Sequence, residues 1–155
     1  MTALQLDRFT PQVEESIAAA GRHASGYGHT VIGAEDLLFG LLFTKPTEPT
    51  SSLSRIMEQR FDVTRYKVSL AIKELSGTDL YDTPVGETYT RGAQRALAFA
   101  EGKVEDGPVG RYDVMAGLAS CEDSNLLLLL TTLNVDPNYL ARVMNDPNNS
   151  ENGRV

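Results

Sequence analysis

The 155-residue sequence is poor in the residues that build disulfides and metal sites: it has one cysteine, two histidines and no tryptophan. A lone Cys121 cannot form an internal disulfide or a cysteine-ligated zinc site, and the histidines and acids show no metal-ligand spacing. The longest apolar run, residues 126–130, is far too short to cross a bilayer, and the N-terminus lacks the pattern of a signal peptide. We therefore expect a soluble cytoplasmic protein without a metal or cofactor.

Basic residues are also scarce. The chain has 14 Lys and Arg against 21 Asp and Glu, which gives a net charge of −7 at neutral pH. Proteins that bind nucleic acids or anionic membranes normally present a basic face. The composition therefore argues against both of these partners and leaves protein and peptide ligands open.

Apolar residues recur with the period of a helix along the whole chain, and no segment alternates as a strand would. Thr10 before Pro11, Thr90, and Asp136 before Pro137 are typical helix starts. The pattern predicts an all-α fold with helices that begin at about residues 11, 34, 53, 62, 90, 112, 125 and 136. For the fourth helix, with Asp62 as its cap, the inward positions would be Val63, Tyr66, Leu70 and Ile72.

The second half of the chain repeats the first. Phe9-Thr10 corresponds to Tyr89-Thr90, Gly33 and Gly40 to Gly110 and Gly117, and Phe61-Asp62-Val63 to Leu133-Asn134-Val135. The changes in offset fall in loops, so we predict two pseudo-symmetric four-helix repeats: residues 7–75, a linker at 76–88, residues 89–145, and a disordered tail at 146–155. A glycine in mid-helix costs about 1 kcal/mol relative to alanine, so Gly40 and Gly117 predict close helix–helix contact.

Three stretches of the first repeat resemble a known family: Arg8-Phe9-Thr10, Gly28-His29, and IGAEDLLFGL at 32–41. They are similar to the N-terminal double Clp repeat domain of ClpC/ClpA-type AAA+ unfoldases, whose repeats read close to F-T, L-G-H and V-G-T-E-H-L-L-L-G-L. The resemblance covers residues 7–145. The second repeat departs from it, because Arg111-Tyr112-Asp113 replaces Thr-Glu-His and the Gly-His pair is deleted. The chain has no ATPase phosphate loop, so we expect a docking domain without its motor.

The resemblance implies a non-catalytic module that binds substrates or adaptors of a Clp AAA+ unfoldase and acts as adaptor, decoy or regulator of Clp-dependent proteolysis. For the ClpC branch it also implies a phosphoarginine reader, in which an acid holds the guanidinium portion and helix N-terminal amides receive the phosphate. The acid of the motif is Glu35, and the other candidate ligand-binding residues are Phe9, Thr10, Thr90 and Tyr112. The alternative is a purely structural role, in which the negative charge of Glu35 stabilises its own helix by roughly a few tenths of a kcal/mol.

Five consecutive leucines at 126–130 cover every direction around a helix, so they cannot all face one core. Burial under the neighbouring repeat accounts for most of them. We expect Leu127 or Leu128 to be exposed and to form an apolar contact surface for a partner chain.

One catalytic alternative is a small hydrolase in which Cys121 pairs with His23 or His29 as nucleophile and base. It predicts that Cys121→Ala abolishes turnover, whereas the binding interpretations predict no thiol dependence. Nothing in the sequence connects Cys121, at the end of a predicted helix, with either histidine. We therefore expect that the protein is not an enzyme.

Overall fold

The computed structural model describes residues 6–43, 52–75 and 88–146. Nearly all of the predicted linker and of the predicted disordered tail lies outside these residues. Eight α-helices form within them, and the only extended pairing among them consists of isolated bridges. The helices are α1 (Pro11–Gly26), α2 (Ala34–Leu42), α3 (Ser52–Phe61), α4 (Arg65–Leu75), α5 (Arg91–Lys103), α6 (Arg111–Ser120), α7 (Ser124–Thr132) and α8 (Pro137–Met144). The all-α prediction is confirmed.

Most helix starts follow the capping signals of the sequence. The Oγ1 atoms of Thr10 and Thr90 each accept a hydrogen bond from the backbone amide three residues later. The donors are Val13 N, at 3.2 Å, and Ala93 N, at 3.3 Å. Asp136 accepts a bond from Asn138 N in the same way. These side chains satisfy amide groups that have no partner inside the helix.

The start of α4 differs from the prediction. Asp62 has a φ of 55° and ends α3 in the left-handed region, and the Oγ1 of Thr64 instead accepts a bond from Lys67 N at 3.3 Å. Val63 is buried but lies before the first residue of α4. Helical spacing counted from Val63 therefore assigns Tyr66 and Leu70 to the buried face, which is wrong. Tyr66 and Leu70 are therefore 74% and 43% exposed, and the inward residues of α4 are Val68, Ala71 and Ile72.

The first two helices of each repeat pack against each other at backbone distance. A Cβ on Gly40 would lie 2.2 Å from the carbonyl oxygen of Ser16, and a Cβ on Gly117 would lie 2.2 Å from that of Ala96. Both glycines therefore have no room for a side chain. The predicted close contact is confirmed, at equivalent positions of α1–α2 and α5–α6.

Two parallel bridges join the repeats. Each connects the segment before the first helix of one repeat with the segment before the second helix of the other: Phe9 with Val109, and Ile32 with Tyr89. Two backbone hydrogen bonds of 2.7–3.0 Å make each bridge: Thr10 N to Val109 O, Val109 N to Arg8 O, Ile32 N to Thr88 O, and Thr90 N to Ile32 O. The N-termini of α1 and α6 thus meet at one junction, and those of α2 and α5 at the other.

A single hydrophobic core runs through both repeats. Helix α2 contacts α5, α6 and α7 as well as α1, and α6 packs on α8. Across the described part of the chain no individual helix has the length and hydropathy of a membrane span; α6 and α7 reach them only when joined, and they meet at 101°. The boundaries of the two repeats at 7–75 and 89–145 stay a prediction.

Replacing Gly40 or Gly117 by alanine tests the close contact. Alanine normally stabilises a helix by about 1 kcal/mol over glycine, but here its Cβ would overlap a backbone carbonyl, so we expect a net loss of about 1–3 kcal/mol. The matched control is Gly102→Ala in α5, where no atom lies within 4 Å of the added Cβ, and it should be neutral or stabilising. Urea unfolding measures all three variants. Equal effects at Gly40 and Gly102 would contradict the close contact.

Candidate functional site

Glu35 and Thr90 belong to the same junction between the repeats. We call residues 32–36 and 88–91 the Glu35 junction. Thr90 is buried there, its amide donates to Ile32 O at 2.9 Å, and its Oγ1 caps α5. Glu35 lies in the first turn of α2, three residues beyond Ile32. The structure therefore brings a carboxylate and the N-termini of two helices to one place.

The side chain of Glu35 folds back over the start of its own helix. A Cβ on Gly33 would lie 2.5 Å from Oε1 and 2.9 Å from Cδ of Glu35. A side chain at this N-cap would therefore displace the Glu35 carboxylate from its place over the helix start, whereas the φ of Gly33, −92°, is ordinary. The half-buried carboxylate sits at the positive end of α2, where a negative charge stabilises the helix.

The other predicted ligand-binding residues lie at the opposite junction. Thr10 caps α1 beside Val109, and Phe9 and Tyr112 are both buried members of the hydrophobic core. Their rings therefore present very little surface to a ligand. An open cavity of about 640 Å³ lies at this junction, lined by residues 7–12 and 106–108.

Arg8 has a structural role that the sequence did not indicate. Its guanidinium donates to the carbonyl oxygens of Glu101, Val104 and Gly107, so it closes the C-terminal end of α5 and the turn that follows. Cations are favourable at the negative end of a helix. Arg8 thus binds the start of repeat one to the end of the first helix of repeat two.

The first turn of α2 contains a buried acid, Asp36. Its Oδ2 accepts a bond from Gly33 N at 2.9 Å, and its Oδ1 lies 2.7 Å from Nδ1 of His23 at the end of α1. The ring of His23 also stacks on Phe39, with centroids 4.3 Å apart. The sequence predicted a helix start here but not the bond from Gly33 N to Asp36, which satisfies an amide group that has no partner inside the helix.

Repeat two has the same arrangement with a different partner for the aspartate. The Oδ2 of Asp113 accepts a bond from Gly110 N at 2.9 Å, and its Oδ1 accepts one from Lys103 Nζ at 2.7 Å. Lys103 stands where repeat one has His23. Histidine thus enters the pair only in repeat one, where His29 also approaches: single ligand atoms of His29, Glu35 and Asp36 all lie within 4.8 Å of one another.

The leucine run of α7 divides as its helical geometry requires. Leu126, Leu129 and Leu130 are buried, whereas Leu127 and Leu128 are each 39% exposed. The hydroxyls of Thr131 and Thr132 donate to the carbonyl oxygens of Leu127 and Leu128, at 2.7 and 2.8 Å. We call Leu127, Leu128, Thr131 and Thr132 the α7 face; because its hydroxyls bond to its own helix, it is apolar in character.

Cys121 lacks the environment of a nucleophile. Burial raises the pKa of its thiol from 9.0 to about 11, and Sγ lies 3.3 Å from the carbonyl oxygen of Leu118. At neutral pH about one molecule in 10⁴ would carry the reactive thiolate. Both histidines lie near Asp36 in the other repeat. The geometry therefore speaks against the hydrolase interpretation.

Comparison with known proteins locates the fold. No protein-family model and no curated protein matches the chain. A solved structure that does match is the N-terminal domain of the caseinolytic protease associated chaperone ClpD from Arabidopsis thaliana, with a TM-score of 0.70 and 15% identity over 90% of this chain and 96% of that one. The fold is that of a Clp N-terminal domain.

A second solved structure that matches comes from a study of a malarial protein secretion system. It has a TM-score of 0.65 and 14% identity, over 95% of this chain and 99% of the other. The predicted Clp N-domain fold is confirmed. At such low identities the likeness concerns the fold alone.

The environment of Cys121 predicts slow alkylation. At pH 8 iodoacetamide should modify the native protein about a hundredfold more slowly than the urea-unfolded chain, because the raised pKa lowers the thiolate fraction. The native rate should increase as the pH rises towards 11. Thiol titration against time measures both rates. A native rate equal to the unfolded one would contradict the burial and restore Cys121 as a candidate nucleophile.

Proposed function

We propose that this chain is a non-catalytic binding module that receives protein or peptide ligands and acts as adaptor, decoy or regulator of Clp-dependent proteolysis in the cytoplasm. The Clp N-domain fold supports the class of function, since ClpD is described as a chaperone associated with a caseinolytic protease. The partners are a Clp AAA+ unfoldase, its substrates or its adaptors, and neither nucleic acid nor membrane is among them.

The α7 face is the observation that carries this proposal. In a chain of net charge −7, helix α7 has no charged residue at all. A partner that covers it therefore has no charge of α7 to desolvate, and interface centres are depleted of charge in the same way. Covering the exposed parts of Leu127 and Leu128 would contribute about 1 kcal/mol each.

Contributions of this size suit a contact that forms and dissociates readily. They make the α7 face one part of a small interface, which is the type of contact that a regulator or adaptor makes. Leu127 and Leu128 are consecutive in α7 and thus about 100° apart around its axis, so a partner that contacts both must cover about a quarter of the helix circumference.

The double variant Leu127→Ser/Leu128→Ser tests this surface. With a purified ClpC-type unfoldase and its peptidase, we expect the wild-type chain to bind and to change the degradation rate of a model substrate. The double variant should bind at least about tenfold more weakly, since it loses two apolar contacts. Interferometry with the labelled chain measures the affinity.

Phe99→Ser is the matched control, because Phe99 on α5 is 43% exposed and lies outside the α7 face. It should bind as the wild type does. Circular dichroism must show that each variant retains its helices. Unchanged affinity in the leucine variant, or equal losses in both variants, would remove the α7 face as the binding surface.

A second candidate function is the recognition of phosphoarginine at the Glu35 junction. The observation that favours it is the meeting of the Glu35 carboxylate with the N-termini of α2 and α5. A carboxylate binds the guanidinium portion, and the positive ends of two helices attract the phosphate. At the equivalent position repeat two has the buried Tyr112, so at most one such site is expected.

Calorimetric titration with free phosphoarginine tests this candidate. The wild type should bind one equivalent, and Glu35→Gln should bind at least about tenfold more weakly because it loses a charge-assisted hydrogen bond. Tyr112→Phe, at the equivalent position of repeat two, should bind as the wild type does. Absence of saturable heat at millimolar ligand would exclude phosphoarginine and leave the α7 proposal untouched.

A further inference from the structure

Both histidines of the chain meet the first turn of α2, together with two acids. The ligand atoms of His29, Glu35 and Asp36 lie within 4.8 Å of one another, and His23 contacts Asp36. We propose that His29, Glu35 and Asp36 bind one divalent transition-metal ion of the Zn²⁺ class. This site goes beyond the proposed function: it lies on a different helix from the α7 face, and it shares only Glu35 with the phosphoarginine candidate.

Each ligand is positioned by a rigid local structure. Gly28, with a φ of 79°, lets the chain reverse after α1, and the amide of His29 then donates to Ala24 O at 2.9 Å. Glu35 is folded over Gly33, and Asp36 is fixed by its bond to Gly33 N. The ligands therefore come from a fixed turn and a fixed helix start, which keeps the cost of organising the site small.

The donor set has the composition that such an ion requires. One imidazole nitrogen and two carboxylates are ligands that zinc accepts, at about 2.0–2.2 Å from the metal. Two ligand atoms of a tetrahedral zinc ion are then about 3.3–3.6 Å apart, so the side chains must move closer by about 1 Å to close the observed cluster. Two carboxylates also neutralise the charge of a divalent cation, which matters because Asp36 is buried.

Asp36 can bind a metal without losing its present partners. A carboxylate offers about four lone-pair sites, and the bonds to Gly33 N and His23 occupy two of them. His23, held by its stacking on Phe39, then orients the carboxylate from behind. Partners of this kind set the geometry of metal ligands in known sites.

Repeat two provides an internal comparison. Tyr112 stands at the position of Glu35, the Gly-His pair is deleted, and Asp113 pairs with Lys103 instead of a histidine. Of the three ligands, repeat two therefore keeps only the aspartate, and that aspartate is already paired with a lysine ammonium. The stoichiometry should therefore be one ion per chain.

Titration of the chain with zinc chloride, after removal of any histidine tag, tests the site. The wild type should bind one equivalent, and His29→Ala and Glu35→Gln should each bind at least about tenfold more weakly. Zinc at a hundredfold excess over the wild-type dissociation constant should raise the unfolding midpoint of the wild type by about 5 °C or more, and that of the two variants by at most about half as much. Cobalt(II) absorption gives an independent signature of nitrogen and oxygen coordination.

Glu14→Gln is the matched control, because it removes one exposed acid of α1 outside the cluster. It should bind zinc as the wild type does. The proposal would be overturned if no saturable binding appeared up to about 100 μM zinc, a concentration far above the dissociation constants of structural zinc sites. It would also be overturned if His29→Ala still bound one equivalent. His29→Ala should leave binding to the unfoldase unchanged, so failure of the metal site is distinguishable from failure of the proposed function.

Discussion

The contact on which the rest of the structure depends is the approach of α2 to α1 without a side chain between them. At Gly40 the two backbones come so close that a single Cβ would meet the carbonyl oxygen of Ser16. Because the helices are held at this distance, the last turn of α1 lies beside the first turn of α2. His23 can therefore reach Asp36 and the turn at His29 lies over the same helix start. The acids that we propose as functional take their positions from that contact.

The junctions between the repeats depend on the same constraint. Each helix pair carries two short segments, one before each helix, and the segments of one pair form bridges with those of the other. The bridges cross: the start of α2 meets the start of α5, and the start of α1 meets that of α6. Glu35 therefore lies beside Thr90 and not beside Thr10. A sequence offset shows which residues correspond, but it cannot show which corresponding residues meet.

Local signals predicted the helices well, and longer-range placement was predicted less well. Caps such as Thr10 act on residues that are close in the sequence, and mid-helix glycines reflect a strong steric requirement. Both signals were therefore interpreted correctly. The predicted start of α4 was wrong, because Asp62 resembles an N-cap in the sequence but adopts a positive φ that ends α3. The cluster around Asp36 was not predicted, because His23 is 13 residues away and reaches it only through the packing of α1 on α2.

The two repeats have kept what the backbone contact requires and changed what surrounds it. Gly40 and Gly117 occupy equivalent contacts, and Asp36 and Asp113 make the same capping bond. The partners of those aspartates differ, since a histidine in one repeat is a lysine in the other. Equivalent packing therefore does not give equivalent sites. The site formed by His29, Glu35 and Asp36 lies in repeat one, and the uncharged α7 face lies in repeat two. The two repeats therefore offer different surfaces to ligands.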